Sequence, residues 1–143
     1  MAANEIDIAY QWIQATLAGD STLQGYAPGG VWRAEAPTNN PAPYVTITYQ
    51  PGQGRDEIAF GAVRVYADLY FEVCASGPAK NLADIANASA QIDQLITINQ
   101  QAVITGGTLL ASYRTQPVET DPLIDGDRWN STGGIYRLMV KAS

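Results

Sequence analysis

The feature that most constrains the fold is a run of alternating side chains between Ala62 and Cys74, with the sequence AVRVYADLYFEVC. Successive side chains of an extended strand point to opposite faces, so the run separates into an apolar row and a mixed polar row. A helix would instead place the charged residues beside the apolar ones. The run therefore predicts a long strand inside a sheet, with one face in the core. The core row is Val63, Val65, Ala67, Leu69, Phe71 and Val73, and the opposite row is Arg64, Tyr66, Asp68, Tyr70 and Glu72.

The opposite row of this strand mixes two tyrosines with three charged residues, which is neither a solvent-facing pattern nor a core pattern. A C-terminal strand predicted over Ile135 to Lys141 adds two apolar residues on the side away from its own core row. Partly apolar surfaces of this kind are typical of contacts with another subunit. The alternative is that the subunit's own loops cover these side chains. We therefore predict a subunit interface formed by Tyr66, Tyr70, Ile135 and Met139.

Composition narrows the class of protein. The chain has 143 residues, enough for one domain (residues 1–143) with a substantial core. Only 15% of the residues are charged and 46% are hydrophobic, which favours a surface that another subunit partly covers. Eight basic residues against fourteen acidic ones give a net charge of −6. This balance argues against a surface that binds nucleic acid, because such binding depends on Lys and Arg at the phosphates.

The single cysteine and the distribution of apolar residues indicate the compartment. Cys74 has no partner for an intrachain disulfide, and a small buried thiol at the end of a strand is expected. No run approaches the roughly 18 apolar residues of a membrane span. The first residues carry acids where a signal peptide would carry basic residues. We therefore expect no membrane association, and a protein that works in a reducing cytoplasm or in a particle assembled there.

The order of predicted elements defines the fold class. Runs with helical spacing alternate with strands, and the two longest helices flank the paired strands. This pattern predicts an α+β domain whose mostly antiparallel sheet has two helices packed on one face. The predicted helices run from a cap at Asn4 to Gly19, with a short turn from Asp20, and from Ser76-Gly77-Pro78 to Thr97. The predicted strands are Tyr44–Gln50, Ala62–Cys74, about Thr108–Val118, and Ile135–Lys141. The predicted long loops are Gly25–Pro43, which contains a short strand at Val31–Arg33, Gln50–Phe60 and Glu119–Gly134.

The sequence lacks the residues that most catalytic sites need. It contains no histidine, which removes the commonest general base and the commonest transition-metal ligand. Asp68 and Glu72 would lie about 13 Å apart along a strand, too far for an acid–base pair, and we interpret them as an exposed polar face. Glu119 and the three aspartates of the last loop lack the spacing of a calcium loop and are expected to be solvated. We therefore predict no catalytic site, no metal site and no cofactor.

Several segments together resemble a known family. They are the short amphipathic N-terminal helix, the Pro-rich loop GVWRAEAPTNNPAPYVTIT, the strand VRVYADLYFEV, the helix LADIANASAQIDQLI and the final strand GGIYRLMV. In order and length they resemble the tail-terminator (tail-completion, or tail-to-head joining) proteins of long-tailed bacteriophages and related gene-transfer particles. The resemblance covers nearly the whole chain. It depends on element order and on the proline–tyrosine entry into the first long strand, since no invariant chemical signature is present.

The resemblance implies a structural virion protein without enzymatic activity. Such subunits close into a homo-oligomeric ring, a hexamer, that caps the tail tube protein and meets the neck or connector protein. The implied location is the tail and neck of a virion assembled in the host cytoplasm. Alternatives are a neck or head-closure subunit, a tail-tube subunit, or, in another class, a small-molecule-binding α+β domain.

A ring in this position would let DNA pass through its centre without specific binding. An acidic lining would repel the phosphates, so we expect Asp121, Asp125 and Asp127 to line the channel. The alternative places the same residues on the outer rim as ordinary solvated loop acids. The loops are expected to supply the contacts with the tube and the connector.

Overall fold

Two long helices and one short helix accompany the strands in this computed structural model, which describes residues 4–52, 54–59, 63–124 and 127–143. A short 3-10 turn at Ala79–Asn81 leads into the last helix. The α+β class predicted from the sequence is confirmed. The elements are α1 (Glu5–Ala18), α2 (Ser21–Tyr26), β1 (Val31–Arg33), β2 (Tyr44–Tyr49), β3 (Arg55–Ala59), β4 (Val63–Pro78), α3 (Leu82–Ile96), β5 (Ala102–Ile104), β6 (Gly107–Thr120), β7 (Leu123–Ile124) and β8 (Asp127–Ala142).

The sheet is built around β4, which pairs with strands on both sides. Its strand order is β1–β2–β4–β8–β6–β5, with β3 beside the first half of β4 and β7 beside the start of β8. The strand pairs are antiparallel except β1 with β2. The pairing of β4 with β8 runs from Ala67 opposite Val140 to Pro78 opposite Trp129. The long alternating strand is therefore interior to the sheet, as its pattern predicts.

The core lies between one face of the sheet and the two long helices. Phe71 is fully buried, and its ring meets the rings of Tyr10 and Tyr49 edge-on at centroid distances of 4.9 and 5.4 Å. The Tyr10 hydroxyl also accepts a hydrogen bond from the backbone nitrogen of Tyr49 at 2.7 Å. These contacts join α1 to β2 and β4. The other large side chains that are fully buried include Ile13, Leu17, Ile47, Ile85, Ile92, Ile96, Leu109, Tyr136 and Leu138.

Local sequence signals set the helix ends. The Asn4 side chain accepts a hydrogen bond from the backbone nitrogen of Ile6 at 2.7 Å and caps α1, and Gly19 ends that helix. Asp20 caps α2 in the same way, through the backbone nitrogen of Leu23. The cap predicted at Asn4, the helix end predicted at Gly19 and the short turn predicted to start at Asp20 are confirmed.

The helix start predicted at Ser76-Gly77-Pro78 is wrong. These residues continue β4 and pair with Ser131, Asn130 and Trp129 of β8, and α3 begins only at Leu82. Gly77 fits there because a Cβ atom on it would lie 3.3 Å from Pro43. Pro78 is the last residue of β4, so here the Ser-Gly-Pro sequence ends a strand instead of starting a helix. Cys74, predicted at a strand end, accordingly lies inside β4.

Two of the three predicted loops are also corrected. Glu119–Gly134 is mostly a long hairpin, in which Val118 to Thr120 of β6 pair with Ser131 to Gly133 of β8. The polar, glycine-containing sequence of this segment is typical of a loop. Gly133, however, is required by strand packing, because a Cβ atom there would lie 2.0 Å from the Val73 carbonyl oxygen. In Gln50–Phe60, residues Arg55–Ala59 form β3. Phe60, the predicted end of this loop, lies outside the described residues. The core positions predicted for the Val63 and Val65 side chains lie outside the described side chains.

The facial assignment of β4 predicts a large difference between two aromatic substitutions. Phe71→Ala removes a fully buried ring and should cost about 3–5 kcal/mol of unfolding free energy. Tyr66→Ala, at a half-buried position on the other face, should cost far less. Denaturant unfolding of the two monomeric variants measures both values. Equal losses would contradict the assignment.

Candidate subunit interface

The face of the sheet opposite the helices, here called the outer face, carries the residues predicted to form a subunit interface. The pairing of β4 with β8 places Tyr70 opposite Arg137, and Arg137 lies opposite Tyr113 of β6. Residues opposite each other in a pleated sheet point to the same side. The outer face of these strands therefore includes Tyr66, Asp68, Tyr70, Glu72, Ala111, Tyr113, Gln116, Ile135, Arg137, Met139 and Lys141, with Arg55 and Glu57 of β3 beside Asp68 and Tyr66.

The structure places the four predicted interface residues on this one face. Tyr66, Tyr70 and Met139 are half-buried in the isolated subunit, whereas Ile135 is only 8% exposed. The tyrosines and Met139 therefore supply the accessible apolar area, and Ile135 adds little exposed area to it. That these residues contact another subunit remains a prediction.

An ion pair with a buried carboxylate lies at the centre of the outer face. The Asp68 side chain accepts hydrogen bonds from Arg137 Nε at 2.7 Å and from Arg137 Nη2 at 2.8 Å. Arg137 Nη1 donates to the Tyr113 hydroxyl at 2.8 Å. Asp68 is only 3% exposed, so its interpretation as part of an exposed polar face is wrong. Sequence reasoning missed the pair because its partners lie 69 residues apart and meet only through the β4–β8 register.

Hydrogen bonding to Asp68 is also the main influence on the ionisation of Arg137. It raises the pKa of the guanidinium above its ordinary value, with the Tyr113 hydroxyl contributing in the same direction and burial opposing it. The side chain is 27% exposed and so keeps a route to solvent. Arg137 is therefore a permanent cation whose charge Asp68 balances within the face.

Glu72 and Cys74 continue the outer face towards β2. Glu72 accepts hydrogen bonds from Gln50 Nε2 at 3.3 Å and from the Cys74 thiol at 3.6 Å. Burial raises the pKa of Cys74 to about 12, and the negative charge of Glu72 adds to the shift. The thiol is 2% exposed, which agrees with the small buried thiol expected from the sequence.

Two of the three predicted channel-lining residues, Asp121 and Asp127, lie at the far end of the β6–β8 hairpin. Asp121 follows β6, is exposed, and accepts a hydrogen bond from Asn130 Nδ2 at 2.8 Å. Asp127 is exposed at the start of β8, opposite Ile124. Asp125 lies outside the described residues. Among the residues that are described, no three His, Cys, Asp or Glu side chains form a group that could hold a metal ion.

The clefts on the described surface are open grooves whose linings differ, and one of about 310 Å³ is bordered by Asn4, Glu5, Tyr49, Arg55 and Asp56. One of about 500 Å³ lies between α1 and β5 and is lined by Gln11, Trp12, Ala15, Val103, Ile104 and Thr105. Binding sites for small molecules normally combine an apolar cavity with a few precisely placed polar groups. This groove offers only an amide and a hydroxyl beside exposed apolar side chains.

Within the described part of the chain, no helix is long and apolar enough to span a membrane.

Solved structures with a similar fold are known. No protein-family model and no curated protein matches the sequence. A chain from the structure of the virion of a native gene transfer agent particle is 15% identical; the match covers 97% of this chain and 98% of that chain, with a TM-score of 0.73. A second solved chain is 14% identical, covers 99% of both chains and has a TM-score of 0.59. At these identities the likeness shows a shared fold.

The raised pKa of Cys74 predicts that the thiol reacts slowly and that its contribution to the unfolding free energy depends on pH. An unfolded thiol ionises near 9.0, so above that pH the unfolded chain loses a proton that the folded chain keeps up to about pH 12. The contribution of Cys74 to stability is therefore present below pH 9 and is lost as the pH rises towards 12. At pH 8 a thiol reagent such as DTNB should modify the native protein at least about 100-fold more slowly than the urea-unfolded chain. Similar rates would show that the thiol is accessible.

Proposed function

We propose that this chain is a structural virion protein of a long-tailed phage-like particle and that it acts as the tail terminator. In this role it forms a hexameric ring that caps the tail tube and joins it to the neck connector. The observation that carries the proposal is the likeness to a chain of a gene transfer agent virion, at a TM-score of 0.73 over nearly the full length of both chains. The element order of the sequence, which resembles tail-terminator proteins, supports the same assignment.

The outer face is the surface that we assign to contact between subunits. Its ion pairs include Arg137 with Asp68 and Arg55 with Glu57, both at 2.7 Å. Beside these pairs and the exposed Lys141, the face offers partly accessible tyrosines and Met139, and these residue types are enriched where protein surfaces meet. A head-to-tail contact that repeats around an axis closes into a ring. The partners of the ring would be the tube protein below and the connector above.

A structural role fits the chemistry of the chain better than the small-molecule alternative. The clefts described above are open grooves, and the sequence contains no histidine. Ligand sites normally need an enclosed cavity and convergent polar groups. The neck-subunit and tube-subunit alternatives share the virion location, and the assembly experiments separate them.

Ring formation can be measured by light scattering and negative-stain microscopy, with and without tail tubes. The wild-type chain should form hexameric rings, at least on tubes. Tyr70→Ala should weaken each subunit contact by about 2 kcal/mol, because a tyrosine at the centre of an interface is a common hot spot. Leu82→Ala, at a half-exposed residue of α3 on the helix side, is the matched control and should assemble normally. A wild-type chain that stays monomeric at high concentration, even with tubes present, would contradict the ring.

The hairpin acids are assigned to the DNA channel of the ring. Converting Asp121, Asp125 and Asp127 to Lys should create salt-sensitive DNA binding and slow DNA ejection from particles. The matched control converts all three to Asn, which keeps an acceptor for the Asn130 amide and should assemble and eject normally. Normal ejection and no DNA binding by the Lys variant would place these residues on the outer rim.

A further inference from the structure

The Asp68–Arg137 ion pair occupies an unusual place, because the outer face has no helix packed over it. Asp68 is 3% exposed even so, and both of its oxygens accept hydrogen bonds from Arg137. Replacing a buried ion pair with apolar residues of similar volume is often neutral or stabilising. A contribution to subunit stability is therefore a weak explanation of why the sequence places a charge here.

The ion pair fixes the position of two side chains that remain accessible. Arg137 reaches from β8 to Asp68 on β4 and to the Tyr113 hydroxyl on β6, so three neighbouring strands hold its guanidinium plane. Tyr113 is 36% exposed and the Arg137 side chain 27%. A guanidinium has five N–H donors, and the hydrogen bonds to described residues use three of them. Two donors are left for a group outside the subunit.

We infer that Asp68 is a positioning residue of the subunit interface, which orients Arg137 and Tyr113 to bind an acceptor oxygen of a second copy of this chain. The inference rests on the proposed ring. Arginine and tyrosine dominate binding energy at protein interfaces, and side chains ordered before binding lose less conformational freedom on association. The contact is continuous with the assigned interface, since Tyr70 lies directly opposite Arg137.

The net charge of the Asp68–Arg137 ion pair also indicates which chemical groups it can bind. Asp68 neutralises Arg137, so the ion pair presents directed N–H donors without a net positive charge. Donors of this kind suit a backbone carbonyl or a side-chain amide oxygen. They are poorly suited to DNA, whose binding depends on uncompensated positive charge.

The decisive variant replaces the ion pair with apolar residues, Asp68→Leu together with Arg137→Met. The unfolding midpoint should stay the same or rise, while ring assembly should weaken at least about tenfold, since the positioned donors are gone. The matched control replaces an ion pair on the helix side, Asp7→Leu together with Arg33→Met, whose side chains are 45% and 48% exposed. The control variant should assemble like the wild type.

A milder variant keeps the test decisive if the double substitution prevents folding. Tyr113→Phe removes only the hydroxyl that accepts from Arg137 Nη1, and it should lower ring affinity several-fold with little change in the unfolding midpoint. Normal assembly by either folded variant would overturn the inference. Normal rings that fail to dock on tubes would also overturn it, because the partner would then be the tube protein. A wild-type chain that forms no ring would instead overturn the proposed function.

Discussion

The register between β4 and β8 is the constraint on which the rest of the structure depends. It places Phe71 opposite Tyr136 and Leu69 opposite Leu138, and the helices cover these rows. The alternation of side chains then assigns Asp68 and Arg137 to the outer face. A slip of one residue in β8 would turn its core row to the outside and bring Arg137 into the core. The core and the candidate interface are therefore two consequences of the same pairing.

The two faces are stabilised by different forces. Burial of aliphatic and aromatic side chains holds the helix side, with the Phe71 ring in contact with α1 and β2. The outer face instead keeps a neutralised ion pair among partly exposed tyrosines. Such a face balances the charge of Arg137 in the free subunit and leaves directed hydrogen-bond donors accessible. This division of roles agrees with the self-assembly that we propose.

The strength of local signals decided how much of the fold could be predicted from the sequence. The alternation in Ala62–Cys74 and the caps at Asn4 and Asp20 are local, and the structure confirms an interior strand and both helix starts. The Ser76-Gly77-Pro78 signal failed because pairing with β8 overrides it. The hairpin after Glu119 was missed because close backbone approach, rather than side-chain pattern, requires Gly133. The ion pair depends on a register that a single sequence does not specify.

The central claim is that the outer face is the surface through which copies of this chain contact each other. A cryo-EM map of the chain assembled on tail tubes tests it most directly. The account predicts a closed six-membered ring in which Arg137 and Tyr113 contact an acceptor oxygen of the neighbouring copy. A ring whose outer faces remain in solvent, with subunits joined through the helix layer, would contradict it.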